Sequence, residues 1–296
     1  MHDVIIIGGS YAGLSAALQL GRARRSVLIL DAGERRNRYA AHAHGFLGRD
    51  GAAPADIAAE GRAEVLKYKT VAFREASVKE ARPTHGGFAV CLGDESVRAK
   101  RLILATGVAD QLPDVPGLQE AWGKTAFHCP YCHGYELDRG QLGVLASSPM
   151  SLHHAQLIPE WGATTFFLNS AFEPDETQSA DLAARGVAIE RAKVLGVQSS
   201  GKTIDVLLSE GRSQRLDGLF VLPRTSPKTP FGEQLGCALA ESPVGTYYQT
   251  DALKQTTVAG VFACGDAGLA MGSVAFAVAD GAMAGVSAHR SLVFPG

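Results

Sequence analysis

Residues 4–13 read Val-Ile-Ile-Ile-Gly-Gly-Ser-Tyr-Ala-Gly, and this stretch decides the fold of the N-terminal part of the chain. Four apolar residues in a row are typical of a parallel strand that is buried on both faces. The Ala/Leu-rich stretch 14–20 predicts a helix directly after the glycines, and a second apolar run at 27–30 ends in Asp31. Strand, glycine-rich turn, helix and strand in this order predict a βαβ unit.

The glycines of this unit have the spacing of a phosphate-binding turn, which needs a tight bend, close backbone approach and the positive end of a helix dipole. Gly8 and Gly13 supply the first and last glycines of the G-x-G-x-x-G pattern, and the small Ser10 occupies the middle position. Asp31 follows Gly13 by eighteen residues, where a carboxylate accepts from ribose hydroxyls and repels a 2′-phosphate. We therefore predict FAD or NAD here, the alternative being a glycine-rich turn in an unrelated α/β protein.

The composition is that of an ordinary globular protein. Of 296 residues, 46% are hydrophobic and 20% charged, and the net charge of −2 favours neither nucleic acid nor an anionic membrane as a partner. No apolar run approaches the ~18 residues of a membrane span, and residues 1–8 contain no basic leader, so we expect a cytoplasmic protein. Five cysteines in a chain of this length do not make a disulfide scaffold.

The pattern of the first unit returns further along the chain. Residues 70–101 predict three short strands with turns at 86–87 and 93–94, followed by a strand at 102–105. The second set comprises strands at 142–146 and 164–168 around a helix at 150–161, short strands at 194–197, 203–208 and 212–216, and a strand at 219–222. A strand at 260–264 and a helix at 275–290 are expected to return to the first module. We predict an α/β fold with two tandem dinucleotide-binding domains, each Rossmann-like and three-layered.

Between the two modules lies the hexapeptide 128–133, His-Cys-Pro-Tyr-Cys-His. The Cys-x-x-Cys spacing of Cys129 and Cys132 allows two thiols to close into a small ring, as two-electron thiol–disulfide chemistry requires. Only the thiolate reacts, so a proton-accepting group is needed, and His133 is the first candidate, with His128 second. A zinc site on these four side chains is disfavoured because adjacent His and Cys side chains point apart. An inert buried pair is the other alternative.

Three motifs together resemble the FAD-binding elements of the low-molecular-weight thioredoxin reductase family, of the pyridine nucleotide-disulfide oxidoreductase type. They are the turn 8–13, the sequence Ala-Thr-Gly at 105–107, and Val-Phe-Ala-Cys-Gly-Asp at 261–266; residues 124–134 also match the redox-active segment, and the resemblance covers nearly the whole chain. It implies a FAD-binding domain of residues 1–116 plus 246–296, a second domain of residues 117–245 carrying the cysteine pair, and a homodimer. The residues implied to bind FAD are Gly8, Ser10, Gly13, Asp31, Ala105, Thr106, Gly107, Gly265, Asp266, Ser273, Val274 and Ala275, the last three replacing the usual Arg-Gln-Ala.

The second module lacks the features by which reductases of this family bind NADPH. Its turn, residues 146–151, reads Ala-Ser-Ser-Pro-Met-Ser and contains no glycine, and Pro149 removes a backbone N–H. After the next strand, residues 169–171 read Asn-Ser-Ala, without the Arg or Lys that would bind a 2′-phosphate. We predict that this nucleotide site is degenerate and that the module serves as a scaffold for the cysteine pair.

Two further stretches resemble the branch that contains the dithiol oxidases of gliotoxin and holomycin biosynthesis. They are residues 133–136, His-Gly-Tyr-Glu, and the Arg-, His- and Gly-containing segment 36–54. The resemblance implies that Cys132 exchanges electrons with the flavin and that Cys129 meets the substrate. We therefore predict a FAD-dependent enzyme that oxidises a dithiol, with oxygen or another acceptor. The alternatives are a thioredoxin reductase-like enzyme that reduces a small or thioredoxin-like disulfide with NADPH or another donor, and a flavin-binding redox sensor.

Most of the remaining histidines and cysteines are expected to have no role in the chemistry. His42 and His44 are candidates to line the active site near the flavin. The pair 153–154 lies on the predicted second-domain helix, where one histidine could face the cysteine pair but exposure to solvent is expected for both. Cys91 and Cys264 are expected to pack in the core, and Cys237 to lie in a loop without a role.

Overall fold

The computed structural model describes residues 1–294. By its internal contacts the chain divides into two compact units. The first unit consists of Met1–Arg38, Phe46–Ala109 and the chain from Thr225 onward, and the second consists of Tyr39–Gly45 and Asp110–Arg224. The division by cofactor, with domain boundaries near residues 116 and 245, stays a prediction.

The first unit begins with the predicted βαβ unit. Its elements are β1 (His2–Ile7), α1 (Tyr11–Arg22), β2 (Val27–Asp31), α2 (Pro54–Val65), β3 (Val71–Glu75), β4 (Glu80–Thr84), β5 (Gly87–Cys91) and β6 (Ser96–Leu104), and β7 (Val108–Gln111) follows. Helix α2 starts at Pro54, whose fixed φ and missing N–H suit the first turn of a helix.

The second unit contains a parallel sheet and a separate antiparallel sheet. Its elements are α3 (Leu118–Ala121), β8 (Ala126–Phe127), α4 (Pro130–His133), β9 (Arg139–Leu145), α5 (Ser151–Leu157), β10 (Gly162–Phe167), α6 (Glu176–Ala184), β11 (Ala188–Glu190), β12 (Val194–Ser200), β13 (Thr203–Leu208), β14 (Ser213–Leu216) and β15 (Gly218–Val221). The strand orders are β11-β10-β9-β15-β8 and β12-β13-β14. The helix predicted at 150–161 ends at Leu157 and continues as a 3₁₀ turn, Ile158–Glu160, because Pro159 cannot donate an α-helical hydrogen bond.

The C-terminal part of the chain completes the first unit. It contributes β16 (Arg224–Pro227), α7 (Phe231–Leu235), β17 (Leu239–Ser242), β18 (Gly245–Tyr248), β19 (Val261–Ala263) and α8 (Val274–Val293). Strand β19 pairs in parallel with β6. Helix α8 packs closely on α1, since a Cβ at Gly281 would lie 2.0 Å from the backbone oxygen of Ala12.

The large sheet of the first unit has the order β3-β2-β1-β6-β5-β4, with β19 also on β6. The prediction of three short strands at 70–101 is corrected here, because the structure has four, β3 to β6. The additional strand, β3, pairs with β2 in parallel. The last strand, β6, continues into the one predicted at 102–105 and pairs with β5 at one end and β1 at the other. One face of the sheet packs against α1 and α8, and its other face carries a second apolar cluster that includes Phe88 and Tyr248.

None of the helices formed by residues 1–294 is long and apolar enough to cross a membrane.

Candidate active site

The cysteine pair lies at the start of the one-turn helix α4. Cys129 and Cys132 form a disulfide, with their Cα atoms 5.3 Å apart. Cys129 is the N-cap residue with extended backbone, and Pro130 takes the first helical position. The backbone N–H of Cys132 donates to the carbonyl of Cys129 at 3.3 Å. Both cysteines are half-buried, so the disulfide is held by local geometry and remains accessible for exchange.

His133 ends α4 directly after Cys132. Its ring stacks on Phe127 with centroids 4.4 Å apart. Burial, with further contributions from His44 and His128, lowers the pKa of His133 to about 4. The ring is therefore neutral at pH 7 while the disulfide is intact. A thiolate on Cys132 would favour the protonated ring, because a nearby negative charge raises the pKa of an imidazole.

A second histidine approaches the redox segment from a distant part of the sequence. His44 belongs to Tyr39–Gly45, the short segment that packs in the second unit. Nε2 of His44 lies 3.4 Å from Oε1 of Glu136. The ring centres of His42 and His44 are 6.2 Å apart. Close packing holds this segment, since a Cβ at Gly123 would lie 3.0 Å from Cβ of Tyr39. His44 thus lies beside the redox segment, and a role for it near the flavin stays a prediction.

The adjacent histidines of α5 face in different directions. His153 is exposed, as predicted, whereas His154 is only 7% exposed. The expectation that both face solvent was therefore wrong for His154. Successive residues of a helix are rotated by about 100°, so neighbours rarely share a face. The ring of His154 lies 6.0 Å from that of His128.

The twelve residues expected to bind FAD all belong to the first unit. They lie where parallel strands end or where the long helices begin. The turn with Gly8, Ser10 and Gly13 joins β1 to α1, Asp31 ends β2, Ala105–Gly107 follow β6, Gly265 and Asp266 follow β19, and Ser273–Ala275 stand at the start of α8. The carboxyl ends of β1, β2, β6 and β19 meet at one edge of the sheet, where dinucleotides bind in open α/β folds.

The β1–α1 turn fits a pyrophosphate. A Cβ at Gly13 would lie 1.9 Å from the backbone oxygen of Gly8. A Cβ at Gly8 would lie 2.2 Å from the backbone oxygen of Ala105. Both positions therefore require glycine. Gly8 has φ of 107°, a conformation that suits glycine. Ser10 is the N-cap of α1 but makes no capping hydrogen bond with its side chain, and the first turn of α1 contains no acidic residue. Helix N–H groups and a hydroxyl are therefore positioned for a phosphate.

Polar groups around this turn fit the rest of a FAD molecule. Both oxygens of Asp31 accept backbone N–H groups, from Gly9 at 2.5 Å and Gly33 at 2.7 Å, which holds the carboxylate at the strand end. Oγ1 of Thr106 is buried without a hydrogen-bond partner, as expected of a donor whose acceptor belongs to a ligand. Asp266 pairs with Arg36 at 2.8 Å.

At the start of α8, backbone amides rather than side chains are the groups expected to approach the flavin. The hydroxyl of Ser273 accepts the backbone N–H of Phe276 at 3.2 Å and so caps the helix. The side chain of Ser273 is thereby committed to the helix, and the backbone N–H groups of Val274 and Ala275, at the first turn, are the groups that can meet a ligand. Beneath the preceding loop, buried Asp280 accepts the N–H of Gly265 at 2.9 Å and pairs with Lys254.

The corresponding turn of the second unit is closed by its own side chain. Ser151, fully buried at the start of α5, accepts the backbone N–H of Ser147 at 3.0 Å, and the backbone nitrogen of Ser148 lies 3.4 Å away. In a phosphate-binding turn such N–H groups point at the ligand. After β10, the side chain of Asn169 accepts the backbone N–H of Val194 at 3.1 Å and is likewise used within the protein.

The sequence pattern of the pyridine nucleotide-disulphide oxidoreductases matches residues 2–281. The chain belongs to this family. Among its relatives, the thioredoxin reductase tcpT of Claviceps purpurea is 32% identical over 304 residues, covering 98% of this chain and 94% of tcpT. The solved structure of an oxidoreductase from Agrobacterium tumefaciens is 55% identical with a TM-score of 0.96, covering 100% and 99% of the two chains. HlmI is 35% identical with a TM-score of 0.90, covering 99% and 92%.

Family membership confirms several predictions. The predicted enzyme class, an oxidoreductase, is confirmed. The thioredoxin reductase-like relatives are FAD-binding flavoproteins. These relatives also have the predicted Rossmann-like fold. Full-length relatives of the gliotoxin type, tcpT, aclD and sirT, confirm the predicted resemblance.

The free cysteines of the oxidoreductase lie away from the redox pair in the sequence and belong to the first unit. Cys264 is fully buried, which confirms its predicted place in the core, and burial raises the pKa of its thiol. Cys237 lies in the predicted loop, between α7 and β17, and is buried there, with its Sγ 3.3 Å from Oγ1 of Thr256. Cys91 ends β5 and is only half-buried, so the expectation that it packs in the core was wrong. Among the described cysteines, only the pair Cys129–Cys132 forms a disulfide.

Proposed function

We propose that this oxidoreductase converts a small dithiol into a disulfide at Cys129–Cys132, with FAD as cofactor and oxygen or another acceptor as the final oxidant. The observation that carries the proposal is the closed turn of the second unit. A reductase of this family needs an entry point for electrons from a nicotinamide, whereas a dithiol oxidase takes its electrons from the substrate.

The closed turn argues against NADPH in three ways. The hydroxyl of Ser151 already accepts the N–H groups that a pyrophosphate would use. Pro149 contributes no N–H to the turn. The segment after β10 supplies Asn169 and Ser170 in left-handed conformation instead of basic side chains. Each difference weakens binding of a dinucleotide, and the 2′-phosphate meets no cation in this segment.

FAD would be held in the first unit, which overlaps most of the FAD-binding domain that we propose for residues 1–116 plus 246–296. The pyrophosphate would meet Gly8, Ser10 and the start of α1, and the ribose Asp31. Thr106, Asp266 and the amides of Val274 and Ala275 would bind the remainder. When bound, FAD supplies a two-electron acceptor that restores the disulfide after each turnover.

The Cys129–Cys132 disulfide supports an exchange in which Cys129 is the outer sulfur, the role that the family resemblance implies for it. A substrate thiolate attacks Sγ of Cys129, a substrate–Cys129 disulfide forms, and the Cys129–Cys132 bond breaks. The second substrate thiolate then attacks the sulfur of the substrate in this mixed disulfide, so that the substrate leaves as a disulfide and Cys129 as a thiolate. Two electrons pass from substrate to enzyme. The two substrate protons also end on the enzyme, one with Cys132 and His133, and one with Cys129.

The thioredoxin reductase direction is the second candidate. It is favoured by the activity named for the relative tcpT and by the exposed ring of Tyr131, 72% accessible between the two cysteines, where a protein disulfide could dock. In that direction the reduced pair would open a small or thioredoxin-like disulfide. The homodimer likewise remains a prediction.

The two candidates differ in what reduces the enzyme. The purified flavoprotein would be mixed without oxygen in a stopped-flow spectrometer, once with NADPH and once with dithiothreitol. Rapid bleaching of the flavin by dithiothreitol but not by NADPH, with recovery when oxygen is admitted, is the expected result. Rapid bleaching by NADPH would overturn the oxidase proposal and favour the reductase.

A further inference from the structure

A buried histidine that the exchange described above does not use lies near the redox pair. His154, on α5, is 7% exposed, and its Nδ1 is buried without a hydrogen-bond partner. Its ring centre lies 6.0 Å from that of His128, with the ring planes tilted by 38°. His128 is the residue directly before Cys129, the sulfur that we propose meets the substrate.

Packing alone does not account for a histidine at this position. The next buried residues of α5 and its 3₁₀ extension, Ala155 and Ile158, are fully buried and apolar. A leucine at 154 would fill similar space without leaving a ring nitrogen unsatisfied in the interior. Native proteins leave few such atoms without a partner, and each one calls for an explanation.

The surroundings keep the ring neutral at pH 7. Burial, followed by the neighbouring imidazoles of His128 and His153, lowers the pKa of His154 to about 4. Helix α5 packs against β9, β10, α6 and the 3₁₀ turn at 158–160. The ionisable groups of these elements are exposed or otherwise engaged. Arg139, Glu160 and Glu176 are exposed, and Asp181 is bonded to Gln156 and Arg185. A neutral imidazole both donates and accepts a hydrogen bond, as a proton relay requires.

We infer that His154 is a positioning residue for the outer sulfur, Cys129, acting through His128. In this arrangement His154 shares a hydrogen bond with His128, through one water or after a small ring rotation. His128, held in this way, takes the proton of the substrate thiol that attacks Cys129 and returns it to Cys129 when this sulfur leaves. The proton is conserved and no further reactant is needed. Each sulfur then has a histidine of its own, His128 for Cys129 and His133 for Cys132.

The inference rests on the proposed exchange chemistry, but its test does not require turnover. In a Cys132→Ser background Cys129 is a free thiol, and its alkylation by iodoacetamide can be followed from pH 5.5 to 9.5 by peptide mass spectrometry. His154→Gln and His154→Leu would be compared with His153→Gln, the matched control on the exposed face of the same helix. We expect the His154 variants to alkylate roughly threefold to tenfold more slowly at pH 7, with the midpoint of the profile moved to higher pH, because the thiolate loses an oriented partner. The control should stay within about twofold of the parent.

Each outcome has one meaning. If His154→Gln retains the parent melting temperature and flavin content and also the parent pH profile, the inference is wrong. If His154→Leu unfolds, the glutamine variant decides, since it keeps a polar side chain without a titrating group. If the wild-type flavin is not bleached by dithiothreitol while the alkylation profile still depends on His154, the proposed oxidase fails and the positioning role stands.

Discussion

Replacing Ser151 with alanine tests whether the turn of the second unit is closed from within. The hydroxyl is fully buried and accepts one backbone N–H at 3.0 Å and a second, weaker one at 3.4 Å. A buried donor left without a partner costs about 1–3 kcal/mol. With one good and one weak hydrogen bond lost, we expect a destabilisation of about 2 kcal/mol. In a chain of this size that lowers the Tm by roughly 4–8 °C.

The assay is thermal unfolding followed by circular dichroism and flavin fluorescence, with and without about 1 mM NADPH. The control is Ser213→Ala, which removes an exposed hydroxyl from β14 and should leave the Tm unchanged. A dinucleotide site with a Kd of about 10 μM would stabilise the protein by about 2.7 kcal/mol at this concentration. That gain would raise the Tm by roughly 5–11 °C. We expect no such rise in the wild type.

Two results would refute the reasoning. If Ser151→Ala keeps the wild-type Tm, the hydroxyl does not satisfy the turn. If NADPH raises the Tm of the wild type by several degrees, the second unit binds the nucleotide although Ser151 occupies the turn. The reductase direction would then be favoured over the oxidase.

Three further predictions concern the cysteine pair, the pH dependence and the loop above Asp280 at the proposed flavin site. Cys129→Ser should abolish bleaching of the flavin by dithiothreitol in anaerobic stopped flow, whereas Cys91→Ser should not; equal rates in both variants would contradict the assigned exchange. Because folding lowers the pKa of His133 from 6.5 to about 4, the unfolded chain binds more protons between these values, and stability should fall as the pH drops from about 6.5 to 4. Urea titrations of His133→Gln should show a shallower fall, and an unchanged slope would count against a buried neutral ring. Asp280→Ala leaves the largely buried Lys254 unpaired and should cost about 3–5 kcal/mol in urea unfolding. The double variant Lys254→Met/Asp280→Leu should recover only part of this loss, because the N–H of Gly265 still lacks its acceptor. A single variant as stable as the wild type would refute the ion pair's importance.

The first nucleotide turn could be predicted because its physical requirements are local. A buried parallel strand needs consecutive apolar residues, the bend needs Gly8, and the close approach of α1 needs Gly13, so all three appear within ten residues of sequence. The altered composition of the second turn was visible in the same way, from its missing glycines and Pro149. The Cys-x-x-Cys spacing likewise predicts a reactive pair, since one helical turn brings two such side chains together.

Individual side-chain contacts and strand neighbours between distant parts of the sequence were harder to predict. Arg36 pairs with Asp266 across 230 positions, and His44 reaches Glu136 from a segment that packs with the second unit. The residues of β3 lie in the stretch 70–101, which is predicted as a group of short strands, yet β3 pairs with β2. The choice of neighbour depends on the surface that each strand buries in the assembled sheet.

The kind of fold, the glycine-dependent turn and the closeness of Cys129 and Cys132 could be read from the sequence, because each depends on residues within one or two turns of chain. Only the tertiary structure decided which histidine of α5 is buried, and that Ser151 fills the turn of the second unit with its own hydroxyl. Both depend on where a side chain points after helices and strands have packed. Burial then sets the protonation of His133 and His154, since the cost of charging an imidazole is a property of its surroundings and not of its neighbours in sequence.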